Sequence, residues 1–195
     1  MPSPDDHQAL TSLLSTAGFL APEEEANELL GRAGDDDALL DALVGRRLTG
    51  EPLAWITGRI SFCDIELRVH PGVYVPRWQS EQLARRAVEL LPPSGTAVDL
   101  CTGTGAIART VQTAHAGDGA RVMATDMDGR AVACARANGV EAYCGDLFAP
   151  LPGGLNGRVD LVVGVVPYVP TAALALLQRD TLTFESPVSY DGGPD

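Results

Sequence analysis

"TAVDLCTGTGAIARTV", residues 96–111, is the stretch whose reading decides the fold. Its left half, "TAVDL", is a short apolar run with Asp99 near its end, which predicts a buried strand. "CTGTG" then supplies turn residues, and "AIARTV" opens a helix. A strand, a glycine loop and a helix in that order form the context in which a glycine motif binds a ligand. Gly103 and Gly105 leave room for a ligand to approach the backbone, because neither carries a Cβ. The spacing G-x-G lacks the third glycine of a dinucleotide fingerprint, so taken alone it also fits a plain tight turn.

The next segments extend the pattern. "RVMATDMD" (121–128) is a second apolar strand ending in Asp126, which falls 21 residues after Gly105. A carboxylate in that place can accept hydrogen bonds from both hydroxyls of a ribose. "GRAVACARANG" (129–139) reads as a helix, and "VEAYCGDLF" (140–148) as a third strand ending at Asp146 and Leu147. "VDLVVGVVPYVP" (159–170) is the most apolar run and is broken by Pro167 and Pro170 around Tyr168. Three acids, Asp99, Asp126 and Asp146, at successive strand ends favour a nucleoside pocket at the carboxyl edge of a parallel sheet. The expected strands are roughly 97–101, 121–125, 140–145 and 159–165.

Upstream the texture changes twice. Residues 5–48 hold Leu and Ala at helical spacing, at Leu10, Leu13 and Leu14, at Ala26, Leu29 and Leu30, and at Leu39, Leu40 and Leu43. Gly18, Pro22 and Gly34 separate three short helices. "APEEEANELL" places Pro and acids at a helix start, and "GDDDALLDALVGRR" places acids first and arginines last, as the helix dipole favours. The acid run 35–37 reads as a cap on a solvated face. "RISFCDIELRVHPGVYVP" (59–76) alternates apolar and polar residues, with a turn near Cys63 and Asp64, and predicts a hairpin. A helix over 79–91 then shows Leu83, Ala87, Leu90 and Leu91 on one face.

Bulk properties limit the function. The chain has 195 residues and a formal net charge of −12. That charge excludes non-specific nucleic-acid binding, because a phosphate backbone would be repelled. No apolar run is long enough for a membrane span, and the acidic "MPSPDDHQAL" lacks a signal-peptide core. The four cysteines, Cys63, Cys101, Cys134 and Cys144, form no CxxC pair. They read as reduced thiols of a cytoplasmic protein with no metal site. His7, His70 and His115 are scattered and read as solvated.

Taken together, these segments resemble a class I S-adenosylmethionine-dependent methyltransferase. Within that class the chain is similar to the HemK/PrmC-type protein-glutamine N5-methyltransferases, which modify peptide-release factors. "RRLTGEPLAWITGRISF" (46–62), "PGVYVPRWQSEQL" (71–83), "VDLCTGTGAIA" (98–108), "ATDMDGRAVACARAN" (124–138), "GDLF" (145–148) and "DLVVGVVPYVP" (160–170) match the family's segments in order. The resemblance implies an α/β, Rossmann-like, mostly parallel sheet, truncated at its carboxyl end, since four strands are counted where the class has seven. It also implies an N-terminal helical bundle over 1–48, a β-hairpin linker over 49–77, and a partial methyltransferase domain over 78–195.

The same resemblance implies S-adenosyl-L-methionine as cofactor, held by Asp99, Thr102, Gly103, Gly105, Asp126, Met127, Asp146 and Leu147. The substrate loop becomes Val166, Pro167 and Tyr168. The family has Asn-Pro-Pro-Tyr there, and its Asn accepts a hydrogen bond from the amide to be methylated. This chain carries Val165 at the Asn position and Val166 at the first Pro. Val165 has no acceptor, so the expected activity is methyl transfer to a protein, release-factor-like substrate in which amide methylation is weakened or the substrate altered. The alternative is a non-catalytic module that binds cofactor or protein; a nicotinamide dehydrogenase is disfavoured by the missing third glycine. Arg77 and Glu81 lie in the segment that borders the cofactor's methionine end in the family, where Trp78 and Gln79 depart from its Pro-Glu. Cys101 stands at a family glycine, and Glu185 with Pro187 reads as structural. Strand 159–165, apolar and at an edge, admits a homodimer by strand addition.

Overall fold

The computed structural model describes residues 4–177 and 183–194. Its contacts divide the chain into Met1–Gly58 and Arg59–Asp195.

The first unit holds α1 (Pro4–Thr16), α2 (Pro22–Ala33), α3 (Asp37–Leu48) and the short α4 (Leu53–Thr57). Pro22 and three glutamates start α2, and Arg32 lies in its last turn. Asp36 caps α3 by accepting a bond from the Leu39 N–H at 2.9 Å, which confirms the capping role read for the acid run. Leu10, Leu14, Ala26, Leu29, Leu30, Ala33, Leu43 and Ile56 form its core. Leu13, expected on that face, is exposed instead, while Leu39 and Leu40 are half-buried at the core's margin. Arg47, placed at the helix end where the dipole favours a cation, is buried. Its guanidinium makes two bonds to Glu25 at 2.6 and 3.0 Å and stacks over Phe19 at 3.8 Å. A paired, planar guanidinium can be buried where an unpaired charge could not.

The second unit begins with the hairpin β1 (Arg59–Phe62) and β2 (Ile65–Arg68), antiparallel with Phe62 opposite Ile65. Cys63 and Asp64 form its two-residue turn with φ of 47° and 62°, the sign that a tight hairpin turn needs. A short 3₁₀ turn, Trp78–Ser80, leads into α5 (Glu81–Leu90). The buried face of α5 is Ala84 and Ala87, continued by Leu91; Leu83 and Leu90, expected inside, are exposed.

The sheet follows. β3 (Thr96–Leu100), β4 (Arg121–Asp126), β5 (Glu141–Cys144) and β6 (Leu161–Gly164) are all parallel, in the order β5-β4-β3-β6. Helix α6 (Ala106–Ala114) links β3 to β4, and α7 (Gly129–Ala137) links β4 to β5. One face buries Ala97, Val122 and Ala124 against α5, α6 and α7. The other buries Val98, Leu100 and Met123 under Leu151, Leu155 and Val159. β6 starts two residues later than the sequence suggests. Asp160 is already engaged: its carboxylate accepts from the Thr96 N–H at 2.8 Å and its own N–H donates to the Thr96 carbonyl at 2.9 Å. The final pair, β7 (Val169–Pro170) and β8 (Asp191–Gly193), is parallel and has no counterpart in the sequence reading. Among the described residues no helix is long and apolar enough to cross a membrane.

Candidate active site at the carboxyl edge of the sheet

Three loops leave the sheet on one edge and are stitched to each other by backbone groups. The Thr102 N–H donates to the Thr125 carbonyl at 3.0 Å, and the Gly145 N–H to the Asp126 carbonyl at 2.9 Å. The Asp126 carboxylate accepts from the Gly103 N–H on one oxygen and from the Asp128 N–H on the other, both at 2.9 Å. The half-buried Asp126 thereby fixes the loop after β3 and the start of α7 together. Each of its oxygens keeps a lone pair for a further donor.

Asp99 has a different station. It is fully buried on the α6 side of β3. One carboxylate oxygen accepts from the Thr102 hydroxyl at 2.6 Å and from the Ala108 N–H in the first turn of α6 at 3.2 Å. Burial pushes its pKa from 3.8 to about 7, against those two hydrogen bonds, and the neighbouring Asp126 adds to the rise. These bonds tie it to the loop itself and to α6.

The two motif glycines differ in what they do. Gly103 has φ of 57°, and a Cβ there would meet nothing nearer than the Tyr74 carbonyl at 4.0 Å. The space above it is open. Gly105 has φ of 82°, and a Cβ would meet Val140 at 3.0 Å and Ala135 at 3.1 Å. Its lack of a side chain serves packing of the loop on α7, not the approach of a ligand. Cys101 also adopts a positive φ, 55°. Its thiol pKa is raised by burial and then by Asp126, Asp99 and Asp146, so the thiol stays protonated and is no nucleophile.

At the ends of β4 and β5 the side chains are apolar and open. Met127 is 67% exposed, Leu147 44% and Phe148 49%, and Asp146 beside them is exposed. β5 ends at Cys144, so Asp146 and Leu147 lie in the loop beyond it rather than at its last position. Leu147 carries φ of 43°. The edge thus offers carboxylate acceptors, an open glycine backbone and an exposed apolar ledge.

The loop after β6 leaves from the same level, because Gly164 pairs with Leu100. A Cβ on Gly164 would meet the Leu100 carbonyl at 2.7 Å. Val165 packs against the core cluster on the α5–α6 side, while Val166 is half exposed and Tyr168 is 76% exposed. The structure therefore places Val166, Pro167 and Tyr168 together on the edge and turns Val165 inward.

Glu185, which the sequence marks as structural, does hold a distant segment, 74–77. The buried Glu185 carboxylate accepts from the Val75 N–H at 3.0 Å and from Arg77 at 2.7 Å. The Arg77 guanidinium also lies over the Tyr74 ring at 5.0 Å, and Tyr74 meets Tyr190 edge-on at 6.1 Å. All but the Arg77–Tyr74 contact join residues more than a hundred positions apart, and no local pattern signals them. Glu81, by contrast, holds the hairpin turn, accepting from the Cys63 N–H at 3.1 Å.

A parallel sheet in this strand order, with acids, an open glycine and an apolar ledge at its carboxyl edge, is the Rossmann-like architecture of class I methyltransferases. Comparison with known proteins narrows the class. The chain is 35% identical to a release factor glutamine methyltransferase of Moorella thermoacetica over 93% of its own length and 72% of that protein's. It is 35% identical to one of Mycolicibacterium smegmatis, over 96% and 73%, and 35% identical to one of Geobacter sulfurreducens, over 78% and 54%. No family model matches the chain. The chain belongs to the release factor glutamine methyltransferase family, whose methyl donor is S-adenosyl-L-methionine.

Proposed function

We propose that the unit Arg59–Asp195 binds S-adenosyl-L-methionine across the three stitched loops and directs its methyl group to a nitrogen of a protein substrate held at Val166–Tyr168. The observation that carries this reading is Asp126. It closes the loops with two N–H donors and keeps an acceptor on each oxygen, which suits a ribose with two adjacent hydroxyls. Met127, Leu147 and Phe148 give an apolar ledge for an adenine, with Asp146 at its rim as an acceptor. The open flank of Gly103 admits the methionine portion. Asp99 and Thr102 act from beneath by fixing the loop, and Gly105 by seating it on α7.

When bound, the cofactor supplies an electrophilic methyl on a positively charged sulfur. The acids at this edge favour a cationic ligand over the neutral sulfide left after transfer. The protein's remaining task is alignment, since direct in-line displacement needs an aimed nucleophile more than a proton shuttle. Pro167 stiffens the loop, the Val166 carbonyl offers one acceptor, and Tyr168 stands open beside it. Val165 offers no side-chain acceptor. Methylation of a release-factor glutamine, the activity named for the relatives, is therefore expected to be slow in this chain. Calorimetry with S-adenosylmethionine tests the cofactor assignment, and the absence of both heat and thermal shift at millimolar cofactor sinks it.

Strand β6 (Leu161–Gly164) meets β3 on one side, and a second copy adding along its other side is the assembly this reading favours. Light scattering checks it, and a monomer at high concentration contradicts it. The four unpaired thiols suit a reducing compartment such as the cytoplasm.

A further inference from the structure

We infer that Glu185 is a positioning residue for the substrate loop, acting through a strap that runs over residues 185–193. The inference rests on the reading of Val166–Tyr168 as that loop. At one end of the strap, the buried Glu185 carboxylate grips the segment 74–77, by the Val75 N–H at 3.0 Å and by Arg77 at 2.7 Å. At the other end, the strap lies against the loop. The Val169 N–H donates to the Tyr190 carbonyl at 2.8 Å. A Cβ on Gly192 would fall 3.0 Å from the Tyr168 Cα and 3.1 Å from the Pro167 carbonyl oxygen.

The strap is itself tied down. Asp191 accepts from the Thr171 hydroxyl at 2.7 Å and from the Gly193 N–H at 3.0 Å, and those two bonds hold its pKa below the usual carboxylate range. Between the two ends Tyr190 is buried and packs edge-on against Tyr74 at 6.1 Å. The strap therefore connects two segments that border the proposed site, 74–77 and 166–170, which otherwise belong to distant parts of the chain. A buried carboxylate that accepts from the Val75 N–H and from Arg77 is costly to disturb, because the buried Val75 N–H left behind would lack its acceptor. Its placement sets where the loop stands.

Residue-resolved hydrogen exchange of the whole chain tests this. In Glu185→Ala, exchange at Val75 should rise because its acceptor is gone. The decisive amide is Val169, which Glu185 does not touch; it should rise at least tenfold, with Thr102 and Ala108 unchanged. Gly192→Ala, whose new Cβ presses on the loop, should raise Val169 with Glu185 intact. S-adenosylmethionine affinity should stay within twofold in both variants, and in Glu185→Gln the rise at Val169 should be partial. A rise confined to Val75 would reduce Glu185 to a local cap and overturn the inference. An equal rise at every core amide, Thr102 and Ala108 included, would do the same, since that marks global destabilisation. Should Glu185→Ala fail to fold, Glu185→Gln and Gly192→Ala carry the same two readouts. Loss of cofactor binding by the unaltered chain would fail the proposed function without touching the Val75–Val169 coupling.

Discussion

The loop after β3 and the loop after β6 leave the same sheet edge and are built on opposite plans. The first is held by acids of the sheet itself: Asp99 of β3 ties Thr102 and α6, and Asp126 at the end of the neighbouring β4 ties Gly103. The second is held from without, by Val169 on Tyr190 and by Gly192 against Pro167 and Tyr168. The contrast teaches how one half of a site can change its chemistry while the other keeps its own. Val165 and Val166 alter the substrate loop while Asp99 and Asp126 keep the bonds that shape the cofactor loop.

The sharpest way to break the comparison is to restore the missing acceptor. Val165→Asn with Val166→Pro should raise methyl transfer to a release factor by about 10²–10³, the effect of one preorganised polar contact in a transition state. Labelled-methyl transfer at saturating cofactor measures it. Equal rates for parent and variant, or rapid turnover by the parent, would show that Val165 is not what limits the reaction. Cofactor affinity should not change. On the other side of the comparison, Asp126→Ala should weaken S-adenosylmethionine by about 1.5–3 kcal/mol, the scale of hydrogen bonds to a charged group. Calorimetry reads this directly, and unchanged affinity would move the ribose elsewhere.

Asp99 offers a smaller, pH-dependent test of the self-held loop. Its pKa rises from 3.8 to about 7 on folding, chiefly through burial. Between those values the folded chain binds a proton that the unfolded chain does not. The contribution is thus complete below about pH 4 and is lost as pH rises towards 7, by at most about 1.4 kcal/mol per pH unit. Asp99→Asn keeps an acceptor for Thr102 and Ala108 and has no proton to lose. Urea denaturation at several pH values should therefore show parent stability falling, relative to the variant, between pH 4 and 7. Asp128 and Glu141, whose pKa values are lowered by Arg130 and Arg121, drive stability the other way in both proteins and cancel in the difference. Parallel curves would mean that Asp99 ionises in the fold as it does in water.

The plan of the first loop was legible in the sequence, and that of the second was not. Apolar runs locate the four strands, closed by acids at β3, β4 and β5 and by prolines after β6, because burial on both faces writes a local pattern. Glycine spacing locates the loop but does not separate Gly103, which opens space, from Gly105, which fits against Ala135 and Val140. The α5 face was misread because a 3₁₀ turn delays the helix and because Ala84, a small residue, gives a weaker signal than Leu83. The burial of Arg47 has no local signal because its partner Glu25 lies on another helix. The strap was invisible for the same reason at greater range: Glu185 meets Val75 across 110 positions. Periodicity reports which way a residue faces within its own element, and says nothing about what a distant segment brings to it.

The smallest expected effect sharpens the comparison from inside the self-held loop. Cys101 sits at φ of 55°, a left-handed conformation that costs an L-residue about 1–2 kcal/mol and glycine almost nothing. Cys101→Gly removes that strain but adds freedom to the unfolded chain, which offsets about 0.5–1 kcal/mol. The thiol is half-buried, so little packing is lost. The net expectation is a gain of about 0.5–1 kcal/mol, a rise in Tm of a few degrees by calorimetry. Because Asp99 and Asp126 hold the loop on either side of this position, cofactor affinity should be unchanged. A fall in Tm would mean that the thiol's packing outweighs its backbone strain. A change in affinity at constant Tm would mean that the loop is not fixed by its acids alone, and the contrast with the externally braced loop would fail.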